Sequence, residues 1–211
     1  MDFRRGSAIV LTIAALAIPS MAAAKTLVVP PRPGQVGFSV QGQFGGMMAT
    51  GGLGENFDFG PGLAVRLKYR MRYERAIGLS FESQTFEARS NPKFTNPEDG
   101  SPINPDTSIA PNKVTLTLSG FDVYQMFGTR TTLTRMVSGG LGVVQVHATL
   151  NDGETEFRPD GFYATVGGGI EKFFYRSLAY DLSGRYIAIF TDGGTNHEFQ
   201  AALGLVFYAG Y

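Results

Sequence analysis

The sequence predicts an all-β fold, an eight-stranded antiparallel up-and-down transmembrane β-barrel, and three observations carry the prediction. Apolar residues alternate with small, polar or charged ones at period two in stretch after stretch, as in strands with one face in lipid and the other toward a filled interior. The connections run long, short, long, short, long, short, medium; barrels with tight periplasmic turns and longer extracellular loops show this alternation. Beyond the N-terminal region no apolar run approaches the roughly 20 residues of a spanning helix, so strands must make any membrane crossing.

Residues 1–24 have the form of a cleaved export signal: Arg4 and Arg5 open it, residues 8–18 are apolar, and an Ala-x-Ala pattern at 22–24 predicts cleavage before Lys25. Residues 25–34 carry Pro30, Pro31 and Pro33 and form an extended periplasmic lead-in. The barrel is expected over 35–211.

The first strand starts at Gln35, with Val36, Phe38, Val40 and Phe44 on one face, and a Gly-rich loop follows at 45–60. The second, 62–71, sets Leu63, Val65, Leu67, Tyr69 and Met71 against Ala64, Arg66, Lys68 and Arg70. After a turn at 72–75, the third sets Ile77, Leu79 and Phe81 against Gly78, Ser80, Glu82 and Gln84. With Arg70 opposite Gly78, Arg66 would face Glu82. Five prolines make 90–113 a long exposed loop.

The fourth strand, 114–127, changes phase: Val114, Leu116 and Leu118 are even, Phe121, Val123 and Phe127 odd. A bulge at Ser119 or Gly120 is the expected cause. A turn at 128–134, a Gly-rich fifth strand at 136–148, and a polar loop at 150–161 come next. The sixth strand (162–173), a turn at 174–177, the seventh (178–189) and a loop at 191–196 lead to the last. Its odd residues from Phe199 to Tyr211 share an apolar face.

Composition excludes several function classes. Eighteen basic and eighteen acidic residues leave no net charge, so the chain lacks the positive field of a nucleic-acid binder. Without cysteine there is no disulfide framework and no Cys-ligated metal.

The export signal, the Gly-rich strands at 138–143 and 166–172, and the ending Leu203-Gly204-Leu205-Val206-Phe207-Tyr208 resemble small eight-stranded outer-membrane barrels of the OmpA and OmpX type, in the outer-membrane β-barrel domain family. The resemblance covers nearly the whole mature chain. It implies an assembly signal for the barrel-assembly machinery at Leu203, Leu205, Phe207 and Tyr211, with Gly210-Tyr211 departing from the commoner terminal Phe.

Eight inward charges, Arg66, Lys68, Arg70, Glu82, Glu171, Asp181, Arg185 and Glu198, are expected to form an ion-pair network in the lumen, because eight strands enclose only enough room for side chains. Two aromatic girdles are expected: Tyr69, Tyr73, Phe127, Phe173, Phe174, Tyr175, Phe207 and Tyr211 below, Phe57, Phe59, Phe162, Tyr186 and Phe190 above.

His147 with Thr149 and Glu154 suggests a lipid A modifying enzyme as the alternative function, yet no Ser stands two residues after His147. Gly139, Gly140, Gly142 and residues 167–169 match no phosphate-binding pattern. Asn151, Asp152, Glu154 and Glu156 lack the EF-hand spacing. No catalytic residue, cofactor or metal is therefore expected. The expected role is a monomeric outer-membrane barrel, structural or surface-binding, in contact with outer-membrane lipid and with a possible extracellular partner at loop 90–113, and no nucleic-acid partner.

Overall fold

The computed structural model describes residues 31–48, 53–89, 92, 104, 107, 110–153, 155–175, 177–191 and 194–209. The export segment 1–24, most of loop 90–113 and Tyr211 lie outside them. Eight strands form the barrel: β1 (Val36–Met47), β2 (Phe59–Arg72), β3 (Arg75–Glu87), β4 (Pro111–Phe127), β5 (Leu133–Leu150), β6 (Thr155–Tyr175), β7 (Leu178–Thr191) and β8 (Gly194–Ala209). Each pairs antiparallel with its chain neighbours, and β8 closes on β1 from Val36↔Ala209 to Met47↔Glu198. Closure leaves no strand edge, as a bilayer core requires.

The barrel has a turn end, where residues 73–74, 128–132 and 176–177 connect strands, and a loop end with the longer connections 48–58 and 88–110. A four-residue helical turn, α1 (Leu53–Asn56), interrupts the first loop. Two expected loops are tighter than the sequence suggested. Between β5 and β6 only 151–154 lie outside strands, and between β7 and β8 only 192–193. The expected loop 150–161 is mostly strand because its polar residues extend a hairpin past the lipid band, where no apolar face is needed.

The strands are unequal: β4, β5 and β6 have 17, 18 and 21 residues, against 12 for β1 and 14 for β2. Through the middle of the barrel the outer face carries exposed Phe38, Val40, Leu67, Leu79, Phe81, Phe121, Val137, Leu141, Leu182, Leu203 and Leu205. So large an apolar surface is stable only against lipid.

The fourth strand holds no bulge at Ser119 or Gly120. Its register against β3 runs unbroken from Arg75↔Gln125 to Glu87↔Lys113, and its even residues point inward throughout. The change of phase is a change of lumen instead: Val114, Leu116 and Leu118 are buried inside the loop end, below which Asp122 and Tyr124 take over the inward face. A bulge does lie in β6, where the register shifts between Val144↔Gly161 and Val146↔Arg158 and bypasses Pro159. Proline has no amide to donate, and a bulge is where a strand tolerates it.

Candidate functional site

The interior is the candidate site, and it is filled in layers. At the loop end Met47, Phe57, Phe86, Val114, Leu116, Leu118, Val144, Val146, Ile187 and Ile189 form an apolar plug. α1 and Phe57 fold across it, held by the Leu53 amide donating to Asn196 Oδ1 at 2.7 Å and by the Arg89 guanidinium donating to the Phe57 carbonyl at 3.0 Å. Toward the turn end, Phe173, Ala179, Val206 and Tyr208 form one apolar cluster and Ala76, Tyr124, Met126 and Met136 another.

Between these layers lie two carboxylate hubs. Glu82 on β3 accepts from Arg66 of β2 at 3.1 Å, Gln43 of β1 at 2.9 Å, Gln200 of β8 at 3.3 Å, and Arg185 of β7. Arg185 also donates to Thr165 at 3.2 Å and stands 3.7 Å from Asp122 on β4. Glu171 on β6 accepts from Lys68 at 2.5 Å, Arg70 at 3.2 Å and the Tyr208 hydroxyl at 2.9 Å. Lys68 lies 3.8 Å from Asp181, and the Lys68 and Arg70 cations also sit over the Tyr124 and Tyr208 rings. Each charge in the two hubs thus gains partners on other strands, which offsets its loss of hydration.

All eight charges expected in the lumen are buried there, and seven of them enter this network. The expected register is two residues off: Arg66 faces Ser80, while Glu82 faces Ala64. The Arg66–Glu82 pair survives because a long guanidinium reaches diagonally across the ladder. Glu198 is fully buried, and neither carboxylate oxygen has a hydrogen-bond partner among the described residues. Asp122 was missed, although its place between Phe121 and Val123 sets it on the inward face.

Small residues make this packing possible. A Cβ at Gly120 or Gly142 would strike the Tyr163 ring, which lies across both and brings its hydroxyl to 3.5 Å from Ser80 Oγ. The glycine-rich stretches of β5 and β6 thus leave room for interior side chains and lie in strands, not in a loop that could cradle a phosphate.

Two expected girdle members are misplaced. Phe57 and Phe173 are each 2% exposed and point into the lumen, one in the plug and one near Tyr208. Exposed rings do lie at both ends: Phe44, Phe59, Phe162, Phe190 and Phe199 toward the loop end, Tyr69, Tyr73, Phe127, Phe174, Tyr175 and Phe207 toward the turn end. Leu203, Leu205 and Phe207 lie exposed along the outer face of β8.

The histidines lie apart from the interior. His147 on β5 pairs in register with Thr115 and Phe157, whereas His197 on β8 shares a 2.5 Å hydrogen bond with the Tyr186 hydroxyl. Glu154 lies outside the described residues. Asn151 Nδ2 donates to the Thr107 carbonyl at 2.8 Å, and no cluster of metal-ligating side chains occurs among the described residues.

No family model and no curated protein matches the chain. Solved structures do. Neisserial surface protein A superposes with a TM-score of 0.60 at 12% identity, covering 82% of this chain and 98% of that one. The N-terminal β-barrel domain of Pseudomonas aeruginosa OprF gives 0.54 at 14% identity, over 85% and 100%. A major outer membrane protein of Thermus thermophilus gives 0.51 at 14%, over 82% and 99%. At such identities the likeness is one of fold: with the closed antiparallel topology, it shows that this chain has the eight-stranded up-and-down β-barrel fold of these outer-membrane proteins.

Proposed function

We propose that the protein is an integral outer-membrane barrel with a sealed, non-conducting lumen, and that it serves the envelope structurally or as a binding surface rather than as an enzyme. The observation that supports this reading is the interior: two ion-pair hubs, with an apolar plug at the loop end and apolar clusters toward the turn end, fill the narrow lumen that eight strands enclose. Export through the signal at 1–24 and recognition of the last strand by the barrel-assembly machinery complete this reading, as do a monomeric state and extracellular display of the β4–β6 end with the 88–110 connection.

Heat-modifiable migration on gels together with outer-membrane fractionation tests the location, and planar-bilayer recording tests the seal. A protein recovered from the periplasm without detergent would refute the first part. Steady unitary conductance would refute the second.

A further inference from the structure

The chain's neutrality conceals an uneven distribution. Among the described residues the exposed charges at the turn end are Arg32, Arg72, Arg75, Arg130, Arg135 and Lys172, against Glu74 alone. Among the same described residues, the loop end carries exposed Glu55, Asp58, Glu87, Asp152 and Asp160, against exposed Lys113 and partly buried Arg89.

The basic end is built into the lipid-facing surface. Outward rows of three strands carry a cation near the turn end: Arg75 below Ile77 and Leu79 on β3, Arg135 between Val137 and Leu133 on β5, and Lys172 between Ile170 and Phe174 on β6. Two residues of strand separate each cation from the apolar side chain above it, about 7 Å along the strand. A cation at that depth lies where headgroup phosphates meet the acyl region, and its aliphatic stem lies along lipid. Exposed Tyr69, Tyr73, Phe127, Phe174 and Tyr175 occupy the same zone, and Arg130 sits 5.4 Å from the Tyr73 ring centre. Between Met71, Arg75, Val123 and Gln125 runs a mainly apolar cleft of about 280 Å³. At the loop end the β3 row instead finishes in Glu87, and the β5 row in Gln145, His147 and Thr149.

We propose that the turn-end rim of β3 to β6 is a binding surface for anionic phospholipids, whose phosphates it takes on Arg75, Arg135 and Lys172 while their acyl chains lie on the apolar rows above. A soluble polyanion would meet the charge but not the apolar row directly above it; only an amphiphile satisfies both. This rests on reading the barrel as membrane-spanning, with the turn end in the periplasmic leaflet.

The test uses the full chain refolded into vesicles of phosphatidylcholine containing a minor fraction of phosphatidylglycerol. Lipids retained on the protein are counted by native mass spectrometry. Phosphatidylglycerol should be retained over phosphatidylcholine by roughly fivefold or more, and the preference should fall with added salt. The Arg75→Gln/Arg135→Gln/Lys172→Gln variant should lose most of it.

Equal retention of the two lipids, or an undiminished preference in the variant, would overturn the proposal. So would tight binding of a soluble polyanion to the detergent-solubilised protein without lipid preference. Heat modifiability is scored on the same samples, so failure to insert would count against the spanning reading and is distinguishable from inserted protein without selectivity. Should the triple variant not insert, the single Arg75→Gln and Lys172→Gln variants carry the comparison, each expected to show a partial loss.

Discussion

Divided at the level of Ser119 and Val143, the long side of the barrel has two regions that use the same strands in opposite ways. Below, the inside is charged and the outside apolar: Asp122, Glu171 and Arg185 face in, Phe121, Val137 and Leu141 face out. Above, Leu116, Leu118, Val144 and Val146 are buried inside while Thr115, Thr117, Gln145 and His147 take the outer face. The upper region is an ordinary soluble barrel standing on an inverted one. Period-two alternation reports which residues share a face, whereas the surrounding solvent decides which face is apolar.

Five substitutions test this contrast. The largest effect is expected from Glu82→Ala, which leaves Arg66 and Arg185 buried without their shared carboxylate. A loss of about 3–5 kcal/mol is expected, read as a lowered urea midpoint in lipid or as unfolded protein on unheated gels. Leu116→Ala in the plug, a site with no exposure, should cost about 3 kcal/mol; the same measurement would expose a loosely packed plug by showing little change. Arginine on the outer face should separate the regions directly. Leu203→Arg, 61% exposed in the lipid belt, is expected to cost about 2 kcal/mol and Thr117→Arg less than about 1 kcal/mol. Equal costs would place both positions in one environment. The smallest effect belongs to Glu198→Gln. Neither oxygen of that buried carboxylate is hydrogen-bonded within the described residues, so a neutral isostere should leave stability within about 1 kcal/mol or raise it. A large loss would reveal a partner for the charge.

Most of the barrel was legible because lipid imposes a simple rule on each strand. β2, β3, β7 and β8 follow that rule through the membrane, and their phases, their inward charges and the tight turns at 73–74 and 176–177 stand as the residues implied. The rule fails where the strands leave the bilayer. The apolar inward residues of β4 then resemble a phase slip, and the polar start of β6 resembles a loop. Side-chain reach was the other gap. Alternation placed Arg66 and Glu82 inside, but it could not show Glu82 gathering groups from β1, β2, β7 and β8, because such convergence depends on barrel closure. Phe57 and Phe173 were misassigned for a related reason: aromatic rings serve a girdle and a plug equally well, and only the direction of the backbone separates the two.

The closing strand also bears on how the barrel can be made. Gln200 and Tyr208 on β8 bond to Glu82 and Glu171 on distant strands, while the backbone of β8 seals β1. A barrel lacking only this strand would lose more than one seam. It would expose two polar edges to lipid and take a hydrogen-bond donor from each buried hub. Partial assembly is therefore penalised in both backbone and interior, so the final step should be concerted, with few stable half-built forms.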